Sequence, residues 1–169
     1  AGARKGAERP ARRAEGEKEV LTCALTGHRV LGKDFPAEGT EKKLRTLLEN
    51  GTDTFLCGMA LGFDLLCGEM LARLKKEFPL RLVACVPCAD QSGRYPFSEK
   101  KRYTALLERC DERVVLHERY ETGCMFERNR YMVDRCDMVL AYLRGACEKG
   151  GTYYTVRYAQ KTGKPVLYV

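Results

Sequence analysis

Two apolar runs in this chain end in glycine turns that lead into helix-like segments, and that pattern admits few folds. The first reads Phe55-Leu56-Cys57-Gly58-Met59-Ala60-Leu61-Gly62-Phe63-Asp64. The second runs Met138-Val139-Leu140-Ala141-Tyr142, crosses a short loop, and arrives at Gly150-Gly151-Thr152. A strand that turns straight into a helix is half of a βαβ unit, and the helix start leaves backbone N–H groups without partners inside the helix. Those amides sit at the positive end of the helix dipole, where glycines let an anion come close. Two such turns predict a cleft for a nucleotide or another phosphorylated molecule.

The rest of the chain repeats the alternation. Val20 to Leu25 reads as a buried strand ending at Thr26-Gly27-His28-Arg29. Thr40 to Asn50 reads as a helix closed by Gly51, and Thr54 to Cys57 as a second strand. Leu66, Met70, Leu74 and Phe78 recur every four residues and predict a helix over 63–78, with Glu69 and Arg73 as an i, i+4 pair. Leu80 to Val86 is a third strand stopped by Pro87, and Ser98 caps the helix that follows. Arg113 to Leu116, a helix over 125–135, the strand at Met138, a helix over 152–161 and a strand over 165–169 complete the series. Apolar strands alternating with amphipathic helices predict an α/β fold: a single Rossmann-like domain, its mostly parallel sheet covered by helices on both faces. Ligands in such sheets lie beyond the carboxyl ends of the strands. The segments after Leu25, Cys57, Val86 and Leu143 are expected to meet on one rim.

Residues 1–19 carry six basic and four acidic side chains without apolar periodicity, and read as a disordered basic tail. The body, residues 20–169, keeps +5 of the net charge of +7. That balance is compatible with phosphate or nucleic-acid partners, and equally with a plain soluble surface. No apolar run is long enough to cross a bilayer, so no membrane role is expected. Nine cysteines is an odd count, and Cys23, Cys57, Cys67, Cys85 and Cys136 sit inside apolar runs. They suit a core in a reducing cytoplasm better than a disulfide framework. Cys85 and Cys88 form a lone CxxC with no second ligand pair for a metal. A homo-oligomer is compatible with everything read so far.

The candidate site follows from the turns. Gly58, Met59, Ala60 and Gly62 would open the backbone to phosphate, and Asp64 would accept from a sugar hydroxyl or else cap its helix. Gly150, Gly151 and Thr152 would supply amides and a hydroxyl. Thr26, Gly27, His28 and Arg29 end the first strand, with Arg29 a clamp for phosphate and His28 a hydrogen-bonding or acid–base group. Arg128 and Asn129 open a helix near the same rim. No nucleophilic triad or carboxylate pair stands out, so catalytic residues are not assigned.

These motifs, together with Pro87 and Gln91, resemble the YpsA-like family of the SLOG superfamily of Rossmann-like proteins, over about residues 20–169. The resemblance implies a pocket for a nucleotide-derived molecule related to ADP-ribose or NAD. Two related groups imply sharper alternatives. In the LOG phosphoribohydrolases, a Met-His-Glu-Arg-Lys stretch is similar to Met125-Phe126-Glu127-Arg128-Asn129. Their later glycine motif carries a catalytic glutamate, whereas this chain continues Thr152-Tyr153-Tyr154-Thr155. DprA-type proteins bind single-stranded DNA. Their Arg-Asn-Arg helix start is similar to Arg128-Asn129-Arg130, and their glycine turn matches Gly58, Ala60, Gly62 and Asp64.

Overall fold

Strand β1 (Leu21–Gly27) is the centre of the molecule because its middle residues, Cys23 to Leu25, are apolar on both faces and are buried there. The structure is a computed structural model that describes residues 19–145 and 148–169; the tail expected over residues 1–19 falls, apart from Glu19, outside them. From β1 the chain passes through α1 (Ala37–Glu49), β2 (Thr52–Cys57), α2 (Phe63–Leu74) and β3 (Arg81–Cys88). A short 3₁₀ turn (Gln91–Arg94), α3 (Phe97–Arg109) and β4 (Glu112–His117) follow. The chain closes with α4 (Cys124–Asp134), β5 (Met138–Tyr142), α5 (Gly150–Lys161) and β6 (Val166–Tyr168).

The six strands run in the order β4-β3-β2-β1-β5-β6, and every pairing is parallel. The sequence expectation of a mostly parallel sheet with helices on both faces holds, with no antiparallel strand among the described residues. Leu44, Phe55, Phe63, Leu71, Leu82 and Leu106 fill the layer beneath α1, α2 and α3. Ala24, Val83, Cys85, Val133, Val139 and Val156 fill the layer beneath α4 and α5. Each fully buried leucine or phenylalanine contributes roughly 2–3 kcal/mol of transfer free energy. β1 feeds β2 on one side and receives β5 on the other, so the order reverses between β1 and β5. A crevice opens at the carboxyl ends of strands at such a point.

Several local expectations give way to tertiary contacts. Pro87 does not stop β3, which reaches Cys88. Pairing with β2 ends at Ala84, so Pro87 lies near the strand's end and its missing N–H costs the ladder little. Ser98 is the second residue of α3 and makes no cap; the helix follows Pro96 directly. Glu69 does not pair with Arg73. It takes both nitrogens of a fork from Arg102 of α3, at 2.7 and 3.1 Å, and Arg73 faces Glu41 at 3.7 Å. A two-point guanidinium–carboxylate pair between helices outweighs a single exposed contact within one helix. Cys85 and Cys88, three apart on a strand, point to opposite faces, which removes the CxxC geometry.

Candidate functional site

Four segments meet at the crevice and enclose a cleft of about 360 Å³. Leu25, Thr26, Gly27, His28 and Arg29 come from the end of β1, and Ala60 and Asp64 from the turn into α2. Met125, Phe126, Arg128 and Asn129 open α4, and Lys149, Gly150, Gly151 and Thr152 open α5. Three of the four strand ends named in advance therefore meet here. The fourth, after Val86, contributes support from below.

The turn between β2 and α2 is held by side chains rather than left open. The Gly58 carbonyl accepts from Arg128 Nη1 and, at 2.9 Å, from Gln91 Nε2. Gln91 is in turn fixed by the Tyr103 hydroxyl at 3.2 Å, and the Tyr95 hydroxyl donates to the Met59 carbonyl. Met59 has φ +59°, a left-handed conformation that costs a residue with a side chain energy, and it is fully buried. A Cβ on Gly58 would lie 2.7 Å from both Arg128 Nη1 and Asp64 Oδ2. Gly58 is thus a slot for a buried guanidinium and a buried carboxylate, and it lies beneath the cleft. Gly62 (φ +77°) presses against the His28 and Arg29 backbone, and the Phe63 N–H donates to the His28 carbonyl at 3.1 Å. The amino end of α2 is therefore occupied by the β1 turn. Gly58, Met59, Gly62 and Gln91 build the floor and do not line the cleft.

Asp64 accepts from the Ala60 N–H at 3.2 Å. Burial pushes its carboxyl up to about 6, and Arg128, the Ala60 N–H and Arg29 limit the rise. Arg128 is itself buried, and its Nε donates to Asn129 Oδ1 at 2.8 Å. That bond fixes the Asn129 amide so that its Nδ2 faces the start of α5, 3.8 Å from where a Gly151 Cβ would sit. The first amides of α5 have no acceptor within the helix, and the first turn holds no acidic side chain. Thr152 sits in that turn, buried, and lines the cleft.

His28 accepts the Arg144 N–H at its Nε2, 2.9 Å away, which places the ring proton on Nδ1. Burial and the Arg144 charge hold its pKa below the usual value, so the ring is neutral and ties the β1 turn to the loop after β5. Arg29 is exposed on the rim and has no ion-pair or hydrogen-bond partner among the described residues. Leu25, Met125, Phe126 and Lys149 line the cleft without having been named as site residues from the sequence. Lys149 had a legible signal, a basic residue immediately before a glycine pair that starts a helix. Met125 and Phe126 entered the sequence reading only through the stretch similar to the LOG phosphoribohydrolases.

The profile of the YpsA family, described as the YspA SLOG family, matches residues 37–168. The chain belongs to this family. A UPF0398 protein of Bacillus pumilus is 29% identical over 160 residues, covering 86% of each chain. One from Oceanobacillus iheyensis is 27% identical over 132 residues, covering 77% of this chain and 71% of that one. Among solved structures, DNA processing protein A from Streptococcus pneumoniae superposes with a TM-score of 0.66 at 21% identity, covering 88% of this chain and 50% of that one. DNA processing protein A from Helicobacter pylori, solved for its single-stranded DNA binding mode, gives 0.62 at 25% identity, covering 88% of this chain and 64% of that one. This chain thus spans half to two thirds of those proteins. The fold is that of the SLOG superfamily.

Proposed function

We propose that the cleft binds a nucleotide-derived molecule through its phosphate, in the manner of an ADP-ribose- or NAD-like ligand, and that the protein acts as a binding or sensing module. The observation that carries this reading is the start of α5. Amides with no acceptor inside the helix, Thr152, Asn129 and the exposed Arg29 all line the same cleft. An anion there gains several charge-assisted hydrogen bonds and the helix dipole at once. Asp64 is the only acidic side chain among the described residues that line the cleft, and it is buried beside Arg128. A sugar or base would lie toward Met125 and Phe126.

Calorimetry with ADP-ribose, NAD, AMP and inorganic phosphate tests the reading. Binding of at least one nucleotide is expected, weakened about tenfold by Thr152→Ala and more by Arg29→Ala. A panel without measurable heat at low salt overturns it. The likeness to DNA processing protein A favours a second reading, in which the phosphate belongs to a single-stranded nucleic acid. Oligonucleotide binding that competes with the nucleotide would favour it.

A further inference from the structure

Phe126 lines the cleft and touches Tyr154, which lines a second depression. Phe126 is 43% exposed, and its ring meets Tyr154 edge-on with centroids 4.7 Å apart. Tyr154 and Tyr158, one turn apart on α5, hold their rings 7° from parallel with centroids 6.5 Å apart. Arg130 reaches over from α4 and donates to the Tyr154 hydroxyl at 3.3 Å. Arg130, Tyr154, Tyr158, Arg157, Gln160 and Lys161 line a groove of about 510 Å³ between α4 and α5.

The charge of this groove is one-sided. Arg130, Arg157 and Lys161 line it, no carboxylate does, and none of the three cations has an ion-pair partner among the described residues. The nearby acids already have partners: Asp134 accepts the hydroxyl of the groove residue Tyr158 at 2.7 Å, and Glu127 faces His117 at 2.6 Å. Unpaired cations beside a row of planar rings fit an occupant that is both polyanionic and flat-faced. An acidic peptide would use the cations and leave the ring faces idle. A second copy docked by two-fold symmetry would set like charges against each other. Single-stranded nucleic acid uses both, its phosphates meeting the cations and its bases stacking on the rings.

We propose that the α4–α5 groove is a track for single-stranded nucleic acid that runs on from the cleft past Phe126. The inference rests on the nucleic-acid reading of the cleft and extends it to a second surface. Fluorescence anisotropy with labelled oligothymidylates of about 4 and about 15 nucleotides tests it, because only the longer strand spans both surfaces. The longer strand is expected to bind more tightly. Tyr154→Ala with Tyr158→Ala should weaken it about tenfold or more and leave the shorter strand unchanged. The corresponding Tyr→Phe pair keeps the rings and should bind as the parent does, which separates stacking from loss of fold. Arg157→Gln with Lys161→Gln should lower the slope of log affinity against log salt by about 1.4.

Equal affinity for the two lengths, or groove variants that bind the longer strand as the parent does, overturns the track. So does a dimer in light scattering that the two alanines dissolve, which would give the groove to a second copy. Nucleotide binding with no binding of either oligonucleotide overturns the track and leaves the nucleotide reading standing. Silence toward nucleotides and both oligonucleotides removes the cleft reading as well.

Discussion

Gly58 and Gly151 look alike in the sequence, each at the end of a strand-to-helix passage, yet they do different work. Gly58 makes room for Arg128 and Asp64, whereas a Cβ on Gly151 meets only Asn129 Nδ2 at 3.8 Å. Gly58→Ala is expected to lose about 1–3 kcal/mol in urea unfolding, because both buried groups must shift. Gly151→Ala should be neutral or gain up to about 1 kcal/mol as a better helix former, while weakening nucleotide binding. Asp64 makes the stability of the fold depend on pH. Its carboxyl keeps its proton to about pH 6 when folded and to about 3.8 when unfolded, so the native state binds more protons in between. Stability contributed by this group therefore falls as pH rises across that window, by about 3 kcal/mol in all. Asp64→Asn removes the slope. Relative to the parent, the variant should gain about 2 kcal/mol between pH 4.5 and pH 7, measured by urea unfolding. No local pattern signals this, since a buried aspartate and a helix cap read alike until Arg128, 64 positions later, is placed beside it.

At the scale of elements, the helix starts differ in what they can offer. α2 spends its leading amide on the His28 carbonyl, so the turn with the stronger glycine signature offers the cleft Ala60 and Asp64 rather than its glycines. α5 keeps its amides, and its glycines lie inside the first turn rather than ahead of it. Which start stays open depends on the neighbouring backbone, so local spacing could not separate them. α4 is anchored through His117, whose Nε2 lies 2.6 Å from Glu127 and whose Nδ1 lies 3.3 Å from Glu121. The two carboxylates hold its pKa above 6.5. A raised histidine pKa means the clamp is fully present below 6.5 and is lost as pH rises through the higher folded value. Amide protection in residues 118–126, taken relative to the intrinsic exchange rate at each pH, is expected to fall over that rise, and His117→Gln should abolish this fall. Unchanged exchange in the variant at low pH would show that the clamp does not anchor α4.

Across the whole molecule, the alternation of strands and helices was legible because each element hides an apolar face of fixed period. Boundaries moved by a few residues where tertiary partners intervened, as at Pro87 and Ser98. The site was legible in outline: the ends of β1 and β5 and the starts of α4 and α5 do assemble into one cleft. The division into lining and floor was not, because Gln91, Met59 and Gly58 act through bonds to one another that no spacing announces. The floor is mostly main chain, clamped by Arg128, Gln91 and Tyr95, and knit to the β1 turn through Gly62 and Phe63. Such a base does not depend on the groups projecting above it. Phe126 makes none of those bonds, so chains sharing this scaffold are free to diverge at such a position while keeping the platform beneath it.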